Sequence, residues 1–164
     1  TPYAVCLVPE KRQERTTEGG LEVASAQKIL VPVVRELSDV GIRVSLFIEP
    51  DIRQVEAAHS LGASVVELHT GAYCEADEDD RSRQFKQIET AANRAEELGL
   101  ECHAGHGLTF DTVAPVAGIP TIVELNIGHF LIGEAIFGGL ESSIKRMRAL
   151  IDKSRASTAG QNSA

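Results

Sequence analysis

Apolar positions along the chain alternate between two periods. Short apolar runs at residues 3–8, 43–48, 64–69, 100–104 and 121–125 predict β-strands, the first of them buried. Between them lie longer segments with helical spacing, at residues 21–40, 51–61, 81–98 and 110–117. Two more helical segments, 132–137 and 140–153, follow the last strand. In the first helix Ile29, Val33, Val34 and Leu37 carry the period, and Pro32 predicts a kink or a break there. Gly41, Gly62 and Gly99 stand where helices should stop.

Five βα units in succession call for parallel strands, because each crossover is a helix. Short apolar strands suit a sheet covered on both faces. Periodicity leaves open whether such a sheet is doubly wound or closes into a barrel. The chemistry at the strand ends separates the two. A doubly wound sheet gathers its ligand at one switch point, whereas a barrel mounts polar groups at several successive strand ends. Here Glu67-Leu68-His69-Thr70-Gly71, Ala104-Gly105-His106-Gly107 and Glu124-Leu125-Asn126-Ile127-Gly128-His129 each pair a strand end with polar side chains and glycine. The expected fold class is α/β, of (β/α)8 TIM-barrel type. Such a barrel needs about 250 residues, so this reading has five βα units present and the amino-terminal three missing. Residues 1–153 form the partial barrel domain, and the small polar residues of 154–164 read as a disordered tail.

Composition narrows the function classes. The chain has 164 residues, 43% hydrophobic and 24% charged, which is ordinary for a globular domain. A net charge of −8 without a long basic run argues against nucleic acid. Cys6, Cys74 and Cys102 are scattered and odd in number, which suits a reducing compartment rather than a disulfide framework. No apolar run approaches the ~18 residues of a membrane span. The expectation is a cytoplasmic protein with no membrane partner.

Candidate chemistry sits at the strand ends. Side-chain alternation in the third strand turns Val66 and Leu68 one way and Val65, Glu67 and His69 the other, toward a barrel interior. An inward carboxylate is costly unless it is paired or working, so Glu67 is either an acid of the site or half of a structural ion pair. His106, between two glycines, stands where a general acid or base would be mounted; the competing reading is a loop histidine bonded to backbone. Gly128-His129 ahead of a helix resembles a phosphate cradle, with Gly105 and Gly107 beside it, or else an ordinary tight turn. Residues 10–20, with Thr16 among basic residues and glycines, suit a lid over an anionic substrate and equally a solvated loop. His103 fits core or site, His59 reads as surface, and the acids of 75–80 read as solvated ahead of a helix.

The stretches C-L-V-P-E-K-R-Q-E-R-T-T-E-G-G-L (6–21), V-S-L-F-I (44–48), E-L-H-T-G-A-Y (67–73), A-G-H-G-L-T (104–109) and E-L-N-I-G-H (124–129) resemble the pyridoxine 5′-phosphate synthase family. The likeness runs from Tyr3 to about Ile151. It implies a transferase-type synthase of vitamin B6 (pyridoxine) biosynthesis, built as a TIM barrel and assembled into octamers in the cytoplasm. The implied reaction condenses 3-amino-2-oxopropyl phosphate with 1-deoxy-D-xylulose 5-phosphate, giving pyridoxine 5′-phosphate, phosphate and water, with no metal or organic cofactor. By resemblance His106 is the proton donor, and Gly107, Gly128 and His129 bind the amino-ketone phosphate. Thr16 contacts deoxyxylulose phosphate, and Glu67 stabilises the charged transition state. Family members carry three further βα units first, with N-x-D-H, H-L-R-E-D-R-R-H and N-L-E-M motifs that this sequence lacks. His103 stands where the family often has Asn.

Two other classes compete. A metal-dependent barrel hydrolase would use Glu67, His69, His106 and His129, although glycine-flanked histidines favour phosphate and proton transfer. A truncated, non-catalytic barrel kept for assembly would need none of them.

Overall fold

The structure, a computed structural model, describes residues 1–9 and 19–161. Its frame is one five-stranded parallel sheet of β1 (Ala4–Leu7), β2 (Arg43–Ile48), β3 (Val65–His69), β4 (Glu101–Gly105) and β5 (Ile122–Asn126). The strands lie side by side in chain order, β1-β2-β3-β4-β5, with no reversal. A doubly wound sheet reverses its order at a switch point, so this order belongs to a segment of a barrel wall.

Helices α1 (Val23–Asp39), α2 (Ile52–Ser60), α3 (Gly71–Glu75), α4 (Glu78–Glu97) and α5 (Val113–Ala117) connect the strands, and α6 (His129–Gly138) and α7 (Leu140–Gln161) follow β5. Alternate strand residues Val44, Leu46, Ile48, Val66, Leu68, Cys102, Ala104 and Ile122 join helix residues in the main core. The intervening positions carry Ser45, Phe47, Glu67, His69 and His103, as the period of two requires. The concave face is therefore polar. Its curvature brings Cys6 Sγ of β1 to 3.8 Å from Glu67 Oε2 of β3, across β2.

Four details differ from the sequence reading. β1 is a short edge strand, not a buried one: Ala4 and Cys6 are exposed and no residue of it is fully buried, because β2 alone flanks it among the described residues. In α1 the buried stripe is Val23, Leu30 and Val34, while Ile29 and Val33 face solvent. The helix also runs unbroken through Pro32; the cost of about 3 kcal/mol for an interior proline is met by burial of Leu30 and Val34 on either side. α4 starts at Glu78, capped by Asp77 accepting from the Asp80 N–H, so acids of 78–80 form its first turn, where the dipole favours them.

The largest correction is at the end of the chain. Of the expected tail 154–164, residues 162–164 lie outside the described residues, and residues 154–161 are the last two turns of α7 and not disordered. Their anchors are polar: Ser154 Oγ donates to Ala114 O (2.6 Å), Thr158 Oγ1 to Gly118 O (3.2 Å), and Arg155 to the carbonyls of Ile119, Pro120 and Ile122.

Candidate active site

The carboxyl ends of the strands open into one cavity of about 780 Å³, within the usual range for a small-molecule site. Glu67, His106, Gly107, Gly128 and His129 all line it. The structure thus brings together every expected site residue that it describes; Thr16 lies outside the described residues. Cys6, Phe47 and Asn126 also line the cavity, and sequence reasoning had given them no role.

His106 leaves β4 with φ +76°, left-handed backbone that a non-glycine residue adopts at a cost. Thr70 holds that conformation. Its hydroxyl reaches the carbonyls of Gly105 (2.9 Å) and His106 (2.5 Å), and its N–H donates to Gly105 O (2.8 Å). Gly107 follows at φ +81°, so the pair makes a turn that a β-branched residue would resist. Burial depresses the His106 pKa below its ordinary value, with His69 next in effect; Glu75 and Glu49 oppose the fall. A histidine so tuned is neutral at pH 7 and, once protonated, a stronger acid than a free imidazole.

Glu67 crosses the mouth of β4 because residue 105 has no side chain. A Cβ at Gly105 would sit 2.7 Å from Glu67 Oε1 and 2.8 Å from Asn126 O. Burial pushes the Glu67 carboxyl above its ordinary value, and the nearby His103 partly offsets this. An acid whose folded pKa is raised stabilises the fold at low pH and loses that contribution as pH rises through the folded pKa. Glu67→Gln should therefore raise the melting temperature at pH 7 by roughly 1–3 °C, with the gain vanishing below the usual carboxylate range. Melting followed by circular dichroism against pH checks this, and a lower melting temperature at pH 7 would contradict it.

At the last strand end Gly128 is the N-cap of α6 and makes no side-chain capping bond. Its φ of −109° is open to any residue, and a Cβ there would meet nothing within 4 Å. No group of the described chain requires glycine here. A free helix N-terminus facing a cavity is a place for an anion, which would need that space and those N–H groups.

His69 is buried beside the cavity, its ring 4.8 Å from that of His106 and its Nδ1 2.9 Å from Glu49 Oε1. His103 is buried in an ionic cluster, with Nε2 2.7 Å from Glu101 and Nδ1 3.4 Å from Glu124, and Arg43 pairs with Glu101. His59 is exposed, as expected. Among the described residues no three His, Cys, Asp or Glu side chains converge in a way that could hold a metal ion. No helix of the described residues is long and apolar enough to cross a membrane.

Fold and site together define a TIM-barrel-type α/β chain with an acid, a strained histidine and an anion-ready helix terminus on one face. Residues 1–153 match the family described as pyridoxal phosphate biosynthesis protein PdxJ, and the chain belongs to that family. It is 64% identical over 152 residues to the pyridoxine 5′-phosphate synthase of Rhodospirillum rubrum, covering 92% of this chain and 61% of that protein. Its likeness to the synthase of Ruegeria pomeroyi is 59% over 159 residues (94% and 64%), and to that of Zymomonas mobilis 58% over 155 (94% and 60%). The chain thus spans about three-fifths of the length of these curated relatives.

Proposed function

We propose that this chain supplies one side of a pyridoxine 5′-phosphate synthase site. The reaction condenses 3-amino-2-oxopropyl phosphate with 1-deoxy-D-xylulose 5-phosphate, releasing phosphate and water. The observation that carries the reading is the shared cavity: His106, Glu67 and the open helix terminus at Gly128 line one space large enough for a small phosphorylated substrate.

In this reading the amino-ketone phosphate seats against the N–H groups at Gly128 and His129, with Gly107 completing its contacts. The dianion then lies near His106 and raises its proton affinity, countering the depression that burial imposes. His106 delivers its proton to the leaving oxygen, and Glu67, as carboxylate, offsets positive charge that develops as the amine adds to a carbonyl. Thr16 contacts the deoxyxylulose phosphate. No metal or organic cofactor is needed, since each step is addition, proton transfer or elimination. An octamer in the cytoplasm belongs to the same proposal. Its support is the exposed apolar face of Ile132, Ile136 and Phe137 on α6 and the three unpaired cysteines.

Gly128→Asp tests the seat of the phosphate. The new side chain fits the fold, because nothing stands within 4 Å, but it sets a carboxylate where the dianion should lie. Calorimetric titration with the amino-ketone phosphate should show affinity falling at least tenfold, a loss of about 1.4 kcal/mol. Unchanged affinity would put the phosphate elsewhere.

A further inference from the structure

Behind the cavity wall runs a row of groups to which the proposed reaction assigns no role. Glu49, just past β2, places Oε1 where it accepts from two donors, the Gly20 N–H (2.7 Å) and His69 Nδ1 (2.9 Å). The hydrogen bond from His69 is the main reason the Glu49 carboxyl titrates below its ordinary value. A carboxylate only accepts, so Nδ1 of His69 carries the proton and Nε2 of the neutral ring is left as an acceptor. That Nε2 edge turns toward Gly71 and the His106 ring, whose centroid lies 4.8 Å from that of His69. Phe47 packs edge-on against His69, its ring centroid 5.2 Å away.

Two glycines keep the row intact. A Cβ at Gly71 would lie 2.6 Å from His69 Nε2 and 3.3 Å from His106 Cδ2, wedging the rings apart. A Cβ at Gly20 would overlap the backbone of Ile48 and Glu49, so its N–H could no longer approach the carboxylate. Gly20, Glu49, His69 and Gly71 come from three separate stretches of sequence, and each is fitted to the next.

We propose that Glu49 and His69 are positioning residues that orient His106 and set its proton affinity from outside the cavity. His69 is the direct neighbour, and Glu49 acts on His106 chiefly by holding His69 in one tautomer and one orientation. The groups that face His106 are His69 at the end of β3, Glu49 after β2, Glu75 on α3 and His129 on α6. His69 and His129 oppose its protonation, while Glu75 and Glu49 favour it. The catalytic meaning of the row rests on the proposed function; the row itself does not.

Nitrogen-15 and carbon-13 NMR of histidine-labelled chain, followed against pH without substrate, tests it. In the unaltered protein the neutral His69 ring should show a protonated Nδ1 and a bare Nε2. The opposite tautomer would overturn the proposal, and this reading needs no variant to fold. In His69→Gln the His106 midpoint should rise, because the adjoining His69 ring no longer opposes its protonation. An unmoved midpoint in a folded variant would reduce His69 to packing. Glu49→Gln should mix the His69 tautomers and lower the His106 midpoint, and Glu49→Asp should restore most of the original behaviour. An unmixed His69 tautomer in folded Glu49→Gln would remove Glu49 from the proposal. These titrations read the coupling alone. Retained turnover after loss of His106 would overturn the proposed function and leave them standing.

Discussion

His106→Gln, in a chain completed to the length of its relatives, is expected to cut turnover by about 10²–10⁴-fold, the contribution of a well-placed general acid. Binding of the amino-ketone phosphate should survive. The two effects separate because the phosphate is assigned to the helix terminus at Gly128 and His129, whereas His106 projects from the loop after β4. Glutamine matches the length of histidine but offers no proton that titrates near neutral pH. Its backbone would inherit the left-handed conformation that Thr70 already enforces through the carbonyls at 105 and 106. Steady-state kinetics with calorimetric binding distinguishes the outcomes. A variant keeping more than half the turnover would remove His106 from the chemistry.

What could be read from the sequence follows from which forces write a local pattern. Strand positions were legible because short apolar runs such as Val44, Ser45, Leu46, Phe47, Ile48 stand between longer segments of helical spacing. The cavity-lining residues Glu67, His106, Gly107, Gly128 and His129 were legible as polar groups and glycines on or just past such strands. α3 was not: its five residues make a single turn, too short to show a period. The end of α7 was missed for another reason. Ser154, Arg155 and Thr158 hold it by hydrogen bonds to carbonyls about forty residues earlier, and a search for apolar spacing does not register polar anchors. In α1 both stripes are apolar in sequence, and only docking on the sheet selects Leu30 and Val34 over Ile29 and Val33.

Glu49 shows the same limit within the site. In sequence it is one more acid in a turn, Glu49-Pro50-Asp51, ahead of a helix. Its partners are His69, twenty residues on, and Gly20, twenty-nine residues before. The available signal was positional: it stands directly after a strand, as His106 and Gly128 stand shortly after theirs.

In the proposed function these residues form one side of a barrel site, and the family's further βα units form the other. Among the described residues β1 pairs only with β2 and β5 only with β4, so the sheet has two open edges. Such edges invite pairing with other chains. Beside β5 the apolar surface is exposed too, with Val123 62%, Ile136 77% and Phe137 92% accessible. The concave face, with Glu67 and His106, is walled on one side only. Multi-step condensation needs more acids and bases than this face holds, and a water-excluding interior in which they act. Residues 1–164 by themselves should therefore make no pyridoxine 5′-phosphate from the two phosphorylated substrates. Mixing them with the part of the Rhodospirillum rubrum protein that they do not cover should restore product, by pairing both edges. The decisive measurement is product formation by residues 1–164 before and after that addition, with intact mass proving that nothing else of the family is present. No product is expected before the addition and turnover after it; turnover by residues 1–164 alone would contradict the one-sided site.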